Sequence, residues 1–97
     1  MRVRYTPRAQ TDLDAIFRYL DIRTPAGAHS VKSAIERHIE LLGEFPRIGP
    51  ETEISGVYEL SIVRYPYKVY YEISGEEVWI LHIRHTARRP WEDGIAD

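Results

Sequence analysis

Three strand-like runs stand in a row in the second half of the chain, and this row constrains the fold more than any other feature. The first is Gly56-Val57-Tyr58-Glu59-Leu60-Ser61-Ile62, and the second is Tyr65-Pro66-Tyr67-Lys68-Val69-Tyr70-Tyr71-Glu72-Ile73. The third is Val78-Trp79-Ile80-Leu81-His82-Ile83-Arg84. Short turns separate them, Tyr65-Pro66 before the second and Ser74-Gly75-Glu76 before the third, so consecutive runs pair antiparallel. The third run empties into His85-Thr86-Ala87-Arg88-Arg89-Pro90. A small sheet that ends in arginine and histidine is suited to gripping an anionic group.

The first half supplies cover for such a sheet. Arg2-Val3-Arg4-Tyr5 alternates charged and apolar residues, as a short strand does. Thr6-Pro7 then starts a helix, with Thr6 as N-cap and proline at the first helical position. Ala9, Leu13, Ile16, Phe17 and Leu20 form one apolar stripe, while Asp12, Asp14, Arg18 and Asp21 are expected to face water. Thr24-Pro25 repeats the start signal, and a second helix carries Ala28, Val31, Ile35, Ile39 and Leu42 on one face until Gly43 and Pro46 end it. The short link predicts an antiparallel hairpin of helices. Pro46, Gly49 and Pro50 make residues 45–55 a loop, in which Glu51 and Glu53 form no catalytic pattern. The fold class is therefore α+β: a short N-terminal strand, then a two-helix antiparallel hairpin packed on one face of a small antiparallel sheet.

A register follows from the faces. A three-residue turn at Ser74-Gly75-Glu76 pairs Tyr71 with Trp79 and Val69 with Leu81. Trp79, Leu81 and Ile83 then pack on the helices, with Leu13, Phe17 and Ile35, and the opposite face shows Val78, Ile80, His82 and Arg84. Lys68 falls opposite His82, with Tyr70 and Arg84 close by. A two-residue turn would shift the register by one and scatter this set. The candidate site is thus a groove floored by Lys68, Tyr70, His82 and Arg84 and rimmed by Arg88 and Arg89. Taken singly, Lys68 suits a solvated charge, Tyr70 a cover for apolar neighbours, and Arg88-Arg89 a solvated turn; their coincidence on one side of a sheet favours a site. No metal or cofactor is expected. There is no cysteine, His82 and His85 point to opposite faces of a strand, and His29 and His38 are remote in sequence.

Composition narrows the partners. Ninety-seven residues suit one small domain spanning 1–97. The apolar share of 43% and charged share of 29% fit a soluble protein. Met1-Arg2-Val3-Arg4-Tyr5 does not resemble a signal peptide, and no run reaches the roughly 20 apolar residues of a membrane span, so a cytoplasmic protein without a membrane partner is expected. The 13 Lys+Arg against 15 Asp+Glu give no basic excess for steering toward nucleic acid. Positive charge is local: from His82 to Trp91 there are three arginines, two histidines and no acid.

The order of motifs resembles the RelE/ParE superfamily of bacterial toxins from type II toxin–antitoxin pairs. The resemblance runs through an Ala-x3-Leu pattern from Ala9 to Leu13, Pro-x2-Gly from Pro46 to Gly49, and Gly-Val-x-Glu-Leu from Gly56 to Leu60. It continues with Tyr-Pro-Tyr from Tyr65 to Tyr67 and His-x2-Arg from His85 to Arg88. It implies a toxin of plasmid-stabilisation type that arrests growth and forms a hetero-oligomer with a cognate antitoxin, whose tail wraps and blocks it. Two mechanisms divide the superfamily. ParE-like members resemble non-enzymatic inhibitors of DNA gyrase, and here Tyr70, His82, Arg84, Arg88 and Arg89 would bind target or antitoxin. RelE-like members resemble metal-independent endoribonucleases that cut messenger RNA on the ribosome, and Lys68, His85 and Arg88 would then be catalytic. Tyr65-Pro66-Tyr67 and the run from His85 to Arg89 look ParE-like. Pro90-Trp91-Glu92-Asp93 lacks the tyrosine common at a RelE-type site. An inactive, toxin-derived binding module is the third class.

Overall fold

The computed structural model describes residues 1–87. Six elements follow in order: β1 (Arg2–Tyr5), α1 (Pro7–Arg23), α2 (Ala28–Glu44), β2 (Val57–Ser61), β3 (Tyr67–Ser74) and β4 (Glu77–His85). The fold is α+β, with both helices on one face of a four-stranded sheet ordered β1-β4-β3-β2. β2, β3 and β4 pair antiparallel as expected, and β1 adds a parallel edge beside β4, so the sheet as a whole is mixed. Among the described residues no helix is long and apolar enough to cross a membrane.

Helix α1 begins as its sequence dictates: the extended Thr6 accepts a hydrogen bond from the Ala9 amide at 3.1 Å, and Pro7 opens the first turn. Helix α2 does not begin at Thr24-Pro25. Thr24 closes α1 instead, its amide and hydroxyl both donating to the Leu20 carbonyl, and α2 starts at Ala28 with Gly27 as N-cap. Nor does Gly43 end α2, which runs on to Glu44. A Cβ at position 43 would lie 2.8 Å from the Met1 carbonyl oxygen, so this glycine admits close approach of the N-terminal chain. The Met1 amino group donates to the Gly43 carbonyl across that contact.

The expected register is corrected. Gly75 and Glu76 make a two-residue turn, Gly75 taking the left-handed backbone at φ 61°, and Ser74 pairs with Glu77, Ile73 with Val78, and Tyr71 with Ile80. The register then shifts between Tyr71 and Tyr70. Leu81 is left over as a bulge, beyond which Tyr70 pairs with His82, Val69 with Ile83 and Lys68 with Arg84. Val78 and Ile80 are therefore fully buried rather than outward, while Trp79 and Leu81 lie off the core. Lys68 faces Arg84, not His82. Leu13 and Ile35 are buried as expected and Phe17 packs at the margin, but Leu81 does not join them.

Tyr71 sits at the centre of the core, stacked on Tyr58 with ring centroids 5.5 Å apart. Its hydroxyl accepts from the Gly49 amide at 3.1 Å. Burial pushes this phenol above its ordinary pKa, and the Gly49 bond opposes part of the shift. The 45–55 loop is thereby tied to the sheet, and Glu51 forms an isolated bridge with Tyr58.

Candidate interaction site on the outer face of the sheet

The site is built where β1 runs out. β1 covers the edge of β4 only from Glu77 to Ile80. Beyond that point side chains replace the missing strand. The Thr6 hydroxyl donates to the Leu81 carbonyl at 3.3 Å, and the Ile83 amide donates to the Asp12 carboxylate at 3.1 Å. Asp12 also accepts from the His82 ring nitrogen Nδ1 at 2.7 Å. Both residues are buried; facing a carboxylate, Nδ1 is the donor, which fixes the imidazole's orientation. Arg8 stands 3.8 Å from the same carboxylate.

His82 then orders the strands beside it. Tyr70 stacks on its ring at 5.7 Å between centroids, and Arg84 donates to the Tyr70 hydroxyl at 3.3 Å. Lys68 lies next to Arg84 across the strand pair and is bound to Glu59 at 3.2 Å. Tyr70, His82 and Leu81 form the floor of a cleft of about 720 Å³, walled by Arg8 from α1 and by Glu51 and Glu53 from the loop.

Of the residues singled out from sequence, Tyr70, His82 and Arg84 come together and Lys68 adjoins them. His85 does not. It pairs with Tyr67 on the face that packs toward the helices, its ring edge-on to the tyrosine at 5.1 Å, and its Nδ1 accepts from the Ala87 amide. Arg88 and Arg89 lie outside the described residues. The structure adds Asp12, Arg8, Glu51 and Glu53. Asp12, expected in water, sits three residues after Ala9 and four before Ile16, so helical spacing alone places it on the buried stripe. Its charge argued for solvent, and the open edge of β4 overrode that. Glu51 and Glu53 carry no local signal, because their position depends on the loop's docking. The groove expected to be basic has carboxylates on its wall.

Removing the Asp12 carboxylate leaves a buried amide and a buried imidazole without their acceptor. Asp12→Ala is expected to cost about 1–3 kcal/mol, and Asp12→Asn, which keeps an acceptor oxygen, less. Urea denaturation of both variants checks this; equal stability of Asp12→Ala and wild type would show that the carboxylate does not hold the bulge.

Comparison with known proteins decides the family. The family model described as the ParE toxin of the type II toxin-antitoxin system, parDE, matches residues 3–90. The chain belongs to the ParE toxin family. It is 34% identical over 90 residues to the "Putative toxin Y4kP" of Sinorhizobium fredii, covering 93% of this chain and 92% of that protein. The chromosomal ParDE toxin–antitoxin system from P. aeruginosa is similar in structure, with a TM-score of 0.76 and 27% identity over 88% of this chain and 95% of that one. The isolated E. coli RelE toxin shares the fold at a TM-score of 0.66, with 14% identity over 98% of this chain and 94% of that one. This ParE-family chain is thus a toxin of the type II class, and an antitoxin is the partner that membership supplies.

Proposed function

We propose that the toxin acts as a ParE-like, non-enzymatic inhibitor of DNA gyrase, silenced by its cognate antitoxin. One observation carries the choice: of the candidate nuclease groups, the two among the described residues lie on opposite faces of the sheet. Lys68 lies on the outer face in an ion pair with Glu59, and His85 lies against Tyr67 on the other face. General acid–base cleavage of RNA needs its proton-transfer groups converging on one phosphate, with cations free to stabilise its charge. The carboxylates walling the cleft repel a phosphate backbone, whereas a protein surface can meet them with its own cations. In this reading Tyr70, His82 and Arg84 belong to the surface that meets target or antitoxin, joined by Arg88 and Arg89, and acidic residues of the antitoxin meet the arginines.

Two assays on purified wild-type protein test the proposal. Gyrase supercoiling is expected to be inhibited and to recover when antitoxin is added, with no cleavage of messenger RNA on translating ribosomes. The Lys68→Ala/His85→Ala variant is expected to keep its antitoxin binding and its inhibition. Site-specific cleavage by wild type, lost in that variant by about 10²-fold or more, would make the protein a RelE-type ribonuclease. Antitoxin binding with neither activity would leave an inactive binding module.

A further inference from the structure

A second concave surface lies away from the sheet face. Helix α2 and the turn at residues 62–66 enclose a cleft of about 490 Å³, lined among others by His29, Ser33, Arg37, His38, Val63 and Arg64, with no acid among its lining residues. The chain as a whole carries a formal charge of −2, so this concentration is local. It arises from segregation along α2. Glu36 and Glu40 lie on the flank toward β1, where burial pushes the Tyr5 phenol above its ordinary pKa and the two carboxylates add to the rise, while Arg37, His38 and His29 line the cleft. Among the described residues neither Arg37 nor Arg64 enters an ion pair, and both are exposed.

The cleft is also held in shape before anything binds. His38 bridges its two walls: Nδ1 meets the Ala34 carbonyl at 2.6 Å, and Nε2 accepts from the Val63 amide at 3.2 Å. The Ile62 amide donates to the Tyr67 carbonyl at 2.9 Å and closes the turn. Arg64 takes the left-handed backbone at φ 78°, the only non-glycine residue among those described to do so, a conformation that persists where surroundings impose it. Val63 is 66% exposed at the rim. Ala34 and Tyr65 add apolar lining.

We propose that this cleft is a docking site for an acidic segment of the antitoxin. Aspartate or glutamate carboxylates meet Arg37 and Arg64, and an apolar side chain beside them covers Val63. The inference rests on the reading of the chain as an antitoxin-bound toxin. Charge complementarity selects an anionic occupant. The exposed valine and the alanine and tyrosine of the lining select a peptide over a phosphate backbone, which would gain nothing from them. The acidic balance of the whole chain adds no long-range attraction for nucleic acid. The antitoxin is the protein partner that family membership supplies.

The test uses the co-expressed toxin–antitoxin complex and the separated chains. Arg37→Glu/Arg64→Glu is expected to weaken antitoxin binding by about 10²-fold, and Arg18→Glu/Arg23→Glu, the same charge change on exposed positions of α1, by far less. Equal losses would mean that net charge alone acts, and would overturn the proposal. Amide hydrogen exchange on wild type gives a readout that needs no variant: Val63 and Arg64 are expected to slow in the complex relative to the free toxin. Unchanged exchange there, in a complex that forms, would overturn the docking site and leave the toxin–antitoxin reading intact. Slowing by inorganic phosphate or an oligonucleotide, but not by antitoxin, would also overturn it. A wild-type chain that binds no antitoxin would remove the underlying reading itself.

Discussion

Ile80→Ala is expected to destabilise the protein by about 2–5 kcal/mol, and Leu81→Ala by about 1 kcal/mol or less. The two residues are neighbours of similar size and hydrophobicity, so only their placement separates them. Ile80 is fully buried between sheet and helices, and its truncation opens a cavity that the packed surroundings fill only in part. Leu81 is the unpaired residue of the bulge and lies on the cleft side, half-buried. Its truncation removes contacts that water can replace. Chemical denaturation of the two variants decides the matter. Losses in the opposite order would restore the uniform register in which Leu81 packs on the helices.

Gly49→Ala is expected to be nearly as damaging, by about 3 kcal/mol, or a fall in melting temperature of more than about 10 °C for a domain of this size. A Cβ at position 49 would stand 2.2 Å from the Glu59 carbonyl oxygen and 3.0 Å from the Tyr71 hydroxyl. The first neighbour is backbone of β2 and has no rotamer through which to retreat. Relief requires moving the loop, which also breaks the bond from the Gly49 amide to Tyr71 and leaves a buried phenol short of a donor. Thermal unfolding measures the effect. An unchanged midpoint would show that the 45–55 loop does not need its contact with β2.

The same residues show how far the sequence could be read. Thr6-Pro7 and the stripe from Ala9 to Leu20 define α1 because cap, proline and spacing agree locally. The Pro46-to-Gly49 pattern is visible as a break in regular structure, but the reason for the glycine is a carbonyl ten residues further on. The register of β4 is the clearest failure. Trp79 and Leu81 are apolar and alternate as a buried face would, yet Val78 and Ile80 occupy the core in the other phase. Segregation of faces could not choose between them, because the strand changes phase part-way. That change depends on Asp12 and on where β1 ends, both remote in sequence. Tyr70, His82 and Arg84 nonetheless share one face, as the alternation predicts, since beyond the bulge the expected phase returns. Arg88 and Arg89 lie outside the described residues.

The bulge in β4 has a meaning beyond the register it shifts. Were Leu81 absent, Val78, Trp79, Ile80, His82 and Ile83 would alternate inward and outward without interruption. The interior therefore does not require this side chain, which lines the cleft where binding is proposed. Fold and recognition are separable at this one position. A lineage could exchange the side chain here and remodel what the toxin grips, while the Leu81 carbonyl keeps its bond from Thr6 and the packing that holds the fold is inherited.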